Sequence, residues 1–281
     1  MKKVLGMAAA MALANTVNAG VISAGGIEWD DTVVGNGITS QVNFQQWWTD
    51  AATVTDDNGT IDTSDDYQRI VSDAAVPVGA GELVGIGEFY SFTDGRGAGP
   101  APGGFCSSSG SYTGVCELTF AFGGLTIAGF NGSTPLFNTT NAWLNVYFDD
   151  TPDFDSLGAT DTTLSSTAHS KFAEAQNGVL WASFDIDFFD LEGTVHGGES
   201  ESGISIRTTS GLGLADVQNT LDFNSILSDI TFTAGATFQA GNSYTLDGNG
   251  QLINNVPEPS SIALMGLGLL GLGAAARRKK A

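Results

Sequence analysis

The sequence predicts an all-β fold, an antiparallel β-sandwich or jelly-roll-like body, and three observations lead to this prediction. Apolar and polar residues alternate with period two in about eight to ten short segments. Turns rich in glycine and asparagine, such as Asp57-Asn58-Gly59 and Asp247-Gly248, separate these segments. Long helical periodicity is nearly absent, and 38 glycines suit many tight turns. These features are typical of two antiparallel sheets packed face to face.

Individual strands follow from the alternation. In chain order, the clearest segments are 82–92, 117–122, 142–150, 179–189, 229–238 and 243–253. In the fourth segment, alternation predicts that Phe184, Ile186 and Phe188 share one face. Within the first segment, Gly85 and Gly87 predict a bulge or the close approach of another part of the chain.

Other segments are predicted as helix, loop or linker. Residues 170–178 are the one helical candidate, with Gly178 as its end. Residues 94–111 are rich in glycine, proline and serine and predict a loop. We expect one domain over residues 20–248, followed by a linker at 249–256.

Residues 1–19 have the features of a secretory signal peptide. Lys2 and Lys3 precede an apolar stretch, and Val17 and Ala19 form a small-residue end with cleavage predicted after Ala19. A buried N-terminal helix is the alternative, but paired lysines and a small-residue end are typical of export. The body 20–248 is therefore predicted to be an exported ectodomain.

The charge of this body excludes nucleic acid as a partner. The chain has 10 Lys and Arg against 31 Asp and Glu, for a net charge of -21. Six of the bases lie at the two ends, at Lys2, Lys3, Arg277, Arg278, Lys279 and Lys280. The acidic body repels nucleic acid and anionic membranes and attracts divalent cations.

The two cysteines predict a disulfide. Cys106 and Cys116 are separated by a stretch rich in glycine and serine. In an oxidising compartment, a bond between them closes a small loop and stabilises the fold by about 2–4 kcal/mol. A metal-binding pair is the alternative, but both histidines, His169 and His196, are distant in sequence.

Two acidic segments are candidate Ca²⁺ sites. The first partly matches the pattern of a Ca²⁺-binding loop but has Val54 where the first ligand should be. The second directly follows the strand predicted at 142–150. A solvated acidic turn is the alternative for both segments. The candidate ligands are Asp56, Asn58, Asp62 and Asp65 in the first segment and Asp149, Asp150 and Asp153 in the second.

No catalytic residue is predicted. Asp185 and Asp187 lie two apart on a strand, so their side chains point in parallel and do not face each other across a scissile bond. A solvated strand face is the preferred interpretation. Trp47 and Trp48 must lie on opposite faces of a strand, one in the core and the other either stacking on a sugar or filling an edge. No nucleophile motif accompanies the histidines.

The C-terminal segment 257–281 combines three features. Pro257-Glu258-Pro259 is followed by an uncharged run from Ile262 to Ala276 and by four bases at residues 277–280. The run predicts a short C-terminal transmembrane helix, although a full span needs about twenty apolar residues. The basic cluster predicts a cytoplasmic end, and the prolines predict an extended segment outside the membrane.

This segment resembles the PEP-CTERM sorting signal, because all three parts occur in the right order. The resemblance implies recognition by an exosortase, a membrane cysteine transpeptidase of exopolysaccharide-producing Gram-negative bacteria. The tail would be cut near Pro257–Pro259, and the body would pass from the inner membrane to the cell surface or extracellular matrix. An ordinary retained anchor is the alternative.

A second resemblance involves the body. The segments "CELTFAFGG", "LNVYFDDTPDF" and "GLGLADVQNTLDFNS", with the Asp-Ile-Thr-Phe-Thr strand, resemble flocculation-associated PEP-CTERM surface proteins. This implies a non-enzymatic role in exopolysaccharide, biofilm or floc formation. Ca²⁺ is the candidate cofactor, on the basis of the two acidic segments. The rival hypothesis is a carbohydrate-binding or glycan-hydrolysing domain that uses the same sorting route.

Overall fold

A computed structural model describes the larger part of the predicted body. The described residues are 21–30, 39–49, 53–56, 67–70, 81–92, 97–100, 104–107, 115–154, 171–194, 197–207, 211–222, 228–238 and 245–254. The predicted signal peptide and the sorting segment lie outside them. Among these residues, no helix has the length and apolarity needed to cross a membrane.

The described residues are mostly β-strand, as predicted. The strands are β1 Val21–Ala24, β2 Ile27–Asp30, β3 Thr39–Trp48, β4 Thr53–Asp56, β5 Tyr67–Ile70, β6 Leu83–Phe92, β7 Gly97–Pro100, β8 Gly104–Cys106, β9 Glu117–Asn131, β10 Thr134–Asn138, β11 Trp143–Asp149, β12 Val179–Thr194, β13 Gly197–Ile206, β14 Ile230–Phe238 and β15 Thr245–Asn254. One α-helix, α1, spans Ala215–Leu221, and one 3-10 turn spans Glu174–Gln176.

Eight of these strands form a closed antiparallel barrel rather than the predicted sandwich. Their order is β6-β3-β15-β14-β13-β12-β11-β9, and β9 pairs back with β6. Long β9 makes this closure by pairing with β11 on one side and β6 on the other. Alternation in the sequence shows that each strand has an apolar face, but it does not distinguish two stacked sheets from one sheet that closes on itself.

Two glycines make the closing seam between β6 and β9. Gly85 and Gly87 lie directly opposite Phe122 and Phe120. A Cβ at Gly87 would come within 2.3 Å of the Phe120 ring and 2.4 Å of the Asn43 carbonyl oxygen. The two aromatic rings therefore occupy the space that glycine leaves, which confirms the predicted close approach.

The main core fills the inside of the barrel with inward-pointing residues. The Phe44 ring makes edge contacts with Phe122 and Phe232, at centroid distances of 6.4 and 6.1 Å. Leu118, Phe120 and Phe122 share this interior as alternation predicts, and so do Leu144, Val146 and Phe148 from β11. Burial of these side chains is the principal driving force for closure.

Separate elements cover the two ends of the barrel. At the end where β15 terminates, here called the plugged end, β1, β2, β8 and α1 pack against the opening, with Trp29 and Leu221 buried. The Trp181 indole donates a hydrogen bond to the Ala24 carbonyl there. At the opposite end, here called the capped end, the β9–β10 hairpin covers the opening, and Phe137 stacks on Trp48.

A bulge in β12 corrects the predicted position of Phe188. The register with β13 shifts between Ile186 and Phe188, leaving Asp187 as the extra residue. Phe184 and Ile186 point inward as predicted, but Phe188 lies outside and is 40% exposed. Phe189 takes the next inward position and contacts Phe137. Period-two alternation fails here because one inserted residue reverses the faces of all that follow.

Half of the outside of the barrel is covered by a second, smaller core. Trp47, Val84, Ile86 and Ala121 point outward from β3, β6 and β9 and are buried by residues 151–154 and 171–176. The Thr119 hydroxyl donates to the Ala175 carbonyl beneath this cover. We call this half the covered face. The outward side of β12 to β15 and of the beginning of β3 is the open face.

Several predicted segments differ in detail. Within the described part of the helical candidate, residues 171–178, the structure has the 3-10 turn and no α-helix. Helix α1 was not predicted, although Leu214, Val217 and Leu221 have helical spacing. The predicted loop at 94–111 contains β7 and β8, which extend the sheet beyond the barrel. Residues 249–254, predicted as a linker, are part of β15 and pair with both neighbouring strands.

Candidate functional site

Three carboxylates meet where β9 begins and β11 ends. Glu117 and Asp149 are directly opposite each other in the β9–β11 pairing, and Asp153 follows four residues after Asp149. One carboxylate oxygen from each lies within 4.8 Å of the other two. The pairing register therefore brings Glu117 to two aspartates that are more than thirty positions away in the chain.

Glu117 is the most buried group of this cluster. Its Oε2 accepts a hydrogen bond from the Phe154 backbone N–H at 3.0 Å, whereas its Oε1 is buried without a hydrogen-bond partner. Burial raises the pKa of Glu117 above its ordinary value. Backbone N–H groups of Phe154 and Asp153 oppose this shift, and the negative charges of Asp153 and Asp149 add to it.

The other two carboxylates accept hydrogen bonds from groups close to them in space. Both oxygens of Asp153 accept from the Asn177 side-chain amide at 3.0 Å. Asp149 Oδ1 accepts from the Thr151 backbone N–H at 2.7 Å. Three converging carboxylates suit a hard cation such as Ca²⁺, which prefers oxygen ligands at 2.3–2.6 Å.

The structure brings together only part of the predicted cation ligands. Asp149 and Asp153 join the cluster, while Asp150 accepts from the Thr151 hydroxyl at 3.3 Å instead. Glu117 was not predicted, because only the β9–β11 register brings it to Asp149. In the first acidic segment, Asp56 ends β4, and Asn58, Asp62 and Asp65 lie outside the described residues.

The predicted disulfide is present next to this cluster. Cys106 in β8 and Cys116 are joined, with an S–S distance of 1.98 Å. Because Cys116 immediately precedes Glu117, the bond ties the beginning of β9 to the strands of the plugged end. The metal-pair alternative for the cysteines is therefore wrong.

The other candidates that the structure describes are engaged in hydrogen bonds, a salt bridge or core packing. Asp185 forms a salt bridge with Arg207. Asp187 Oδ2 accepts from the hydroxyls of Ser205 and Ser228, each at 2.6 Å. Trp48 lies inside the barrel, and Trp47 is buried under the covered face against Phe172. His169 and His196 lie outside the described residues.

The open face carries a wide polar groove that the sequence did not predict. Its volume is about 870 Å³. Along its β12–β13 side, Asp190 is directly opposite Glu201, and Glu192 is directly opposite Glu199. Towards β6 the lining includes Tyr90, which is 41% exposed. The lining also includes the amide side chains of Gln41, Asn43 and Gln251.

Comparison with known proteins identifies the end of the chain. The family described as PEP-CTERM protein-sorting motif matches residues 255–279. No curated protein and no solved structure matches the chain. The match confirms the resemblance of residues 257–281, and it begins immediately after β15 ends at Asn254.

Proposed function

Because the chain carries a PEP-CTERM protein-sorting motif, we propose that it is an exported, non-enzymatic protein of the cell surface or extracellular matrix. The motif at 255–279 is the observation that carries the proposal. It supports exosortase-dependent sorting of an exported protein. Association with exopolysaccharide, in a biofilm or floc, is the molecular role that we propose for the body.

The proposed route has two membrane-associated stages. The segment 1–19 directs export, and the apolar run 262–276 holds the precursor in the inner membrane with its four terminal bases on the cytoplasmic side. Exosortase then cuts near Pro257–Pro259 and transfers the barrel to the surface of a Gram-negative cell. The mature protein keeps the acidic barrel and loses the basic tail.

The barrel interior supports a role that depends on the outer surface. The interior cavities near the capped end and the plugged end have volumes of about 40 Å³ each. Small-molecule sites in proteins typically measure about 300–1,000 Å³. The closed interior is therefore occupied by side chains, and contact with a polymer would have to use the outside.

Calcium would link this acidic surface to an anionic polymer. We propose Glu117, Asp149 and Asp153 as its ligands, because one oxygen from each carboxylate converges and Glu117 has an oxygen without a hydrogen-bond partner. Three carboxylates fill only part of the six to eight positions around Ca²⁺, so the remaining positions would be available to water or to the polymer. The ion would thus neutralise repulsion between two negatively charged partners.

The alternative function is a carbohydrate-active domain, binding or hydrolytic, that uses the same sorting route. The groove on the open face favours binding. Its exposed Tyr90 offers a ring that can stack on a sugar, and its amides and carboxylates can hydrogen-bond hydroxyl groups. Retained binding of purified mature protein to neutral oligosaccharides after Ca²⁺ chelation would favour this alternative.

The intact mass of the protein from its own producer tests the sorting proposal. We expect the wild-type chain to begin near Gly20 and to end around Pro257–Pro259, and the double variant Pro257→Ala, Pro259→Ala to keep its basic tail. A wild-type chain that still ends in Ala281 would contradict exosortase processing. Co-sedimentation of the mature protein with the producer's exopolysaccharide, with and without Ca²⁺, tests the matrix role.

A further inference from the structure

The sorting motif follows the folded barrel with almost no spacer. β15 ends at Asn254, and Pro257 begins the Pro-Glu-Pro sequence, so only Asn255 and Val256 separate them. A fully extended chain spans at most about 3.6 Å per residue. The chain from Asn254 to Pro257 is therefore at most about 11 Å long.

The barrel cannot easily lengthen this tether. β15 is an interior strand that pairs with β14 through Ile230 and Asn254 and with β3 through Thr39 and Ile253. Releasing Ile253 and Asn254 adds at most about 7 Å. Releasing one residue more would pull Leu252, which is 7% exposed, out of the barrel interior.

The short connection brings the end of the barrel close to the enzyme that cuts at the motif. The tether leaves from the end of β15, and its maximum length of about 11 Å is no more than the diameter of one α-helix with its side chains, about 10–12 Å. A peptidase that acts at Pro257–Pro259 cannot reach those residues while standing clear of the barrel. The surface around the end of β15 must lie against the enzyme.

The N-terminal side of the body leads to the same end of the barrel. β1 begins at Val21, two residues after the cleavage site predicted after Ala19, and β1 and β2 help to cover the plugged end. Trp29 from β2 and Leu252 from β15 line the same small cavity there. Both predicted membrane-directed segments therefore connect to the plugged end.

We propose that the plugged end is a docking surface for the membrane-embedded peptidase that reads the sorting motif. The peptidase cuts the chain after the barrel has closed, while this end rests against the enzyme. The proposal rests on exosortase processing and adds a defined contact surface and orientation. It predicts that the length of the spacer matters and that its sequence does not.

A spacer series in the full-length chain, expressed in its producer, tests the length requirement. We expect deletion of Asn255 and Val256 to lower the cleaved fraction several-fold, because Pro257 would then follow the last strand pair directly and the lost length could be regained only by releasing Ile253 and Asn254 from β15. The equal-length control Asn255→Gly, Val256→Ser should be cleaved like wild type. Full cleavage of the deletion variant would overturn the proposal, and so would loss of cleavage in the control.

Photo-crosslinking tests the orientation. A photoreactive residue at exposed Asn219 on α1 should give an adduct with the peptidase that requires Pro257 and Pro259, whereas one at Ser133 in the β9–β10 turn should not. A ten-residue Gly-Ser spacer inserted before Pro257 should lower the yield of the adduct from position 219 several-fold. The docking proposal would be overturned by an adduct from position 133, or by the lack of an adduct from position 219 while cleavage proceeds. Either result would leave the sorting proposal intact. A wild-type chain that is never cleaved would instead overturn the sorting proposal.

Discussion

The covered face and the open face are two halves of one barrel, but they are stabilised differently. Outward residues under the cover are apolar and buried, as Trp47 and Ile86 show. On the open face the outward positions carry Glu199, Glu201 and Gln251. The inner core is continuous behind both halves. The comparison shows that the interior closes the barrel, while the outward residues decide which half receives a second layer.

Truncation of Trp47 should break the covered face and have the largest effect. Trp47→Ala removes a buried ring that contacts Phe172 at a centroid distance of 5.9 Å, and we expect a loss of about 3–5 kcal/mol in the free energy of unfolding. The matched control on the open face, Tyr90→Ala, should cost less than about 0.5 kcal/mol. Urea denaturation measures both, and equal losses would contradict the distinction between the faces.

The closing seam is the next most sensitive point. Gly87→Ala places a Cβ against the Phe120 ring and the Asn43 carbonyl oxygen, so we expect a destabilisation of about 1–3 kcal/mol. Gly235 on the open face has nothing within 4 Å of an added Cβ, so Gly235→Ala should change stability by less than about 0.5 kcal/mol. Thermal unfolding of both variants checks this, and a silent Gly87→Ala would argue against a tight seam.

Calcium should stabilise the edge of the covered face. With the affinity of about 10⁻⁴–10⁻³ M typical of extracellular sites, 10 mM Ca²⁺ adds about 1.4–2.7 kcal/mol to the free energy of unfolding. Glu117→Gln should abolish this gain, whereas Asp150→Asn in the same turn should retain it. Equal Ca²⁺ stabilisation of wild type and Glu117→Gln would contradict the assigned site.

The pH dependence of the same variant sharpens this test. The pKa of Glu117 is raised by burial, so without Ca²⁺ the folded state binds its proton more tightly than the unfolded state does. The stability that this group contributes is therefore lost as pH rises from its ordinary pKa of 4.5 through the higher pKa of the folded state. Glu117→Gln lacks the charge, so its melting temperature relative to wild type should rise over that interval. A constant difference would contradict the burial of the charge.

The smallest effect is expected on the open face. Glu201 lies directly opposite Asp190, and like charges in such pairs are destabilising. Glu201→Gln should therefore stabilise the barrel by about 0.2–1 kcal/mol at low salt. The gain should vanish at high ionic strength because exposed charges are screened. Destabilisation at low salt would show that this carboxylate has a favourable partner.

Sequence and structure agree best where a property depends on neighbouring residues. Alternation predicted the inward side of β9 and β11 correctly, because successive side chains of a strand point to opposite faces. The pairing of Cys106 with Cys116 followed from two nearby cysteines in an exported chain. The sorting motif at 255–279 is a local signal as well, and the family match confirms it.

The features that the sequence could not predict depend on contacts between distant segments. Closure of the sheet joins β6 to β9, and the approach of Glu117 to Asp149 follows from the β9–β11 register. The bulge at Asp187 moved Phe188 to the outside through a single shift in pairing. Alternation specifies two faces for each strand but not the neighbours of that strand. The sequence alone therefore determined strands, a disulfide and a sorting route, and tertiary pairing decided the barrel, the cation cluster and the two outer faces.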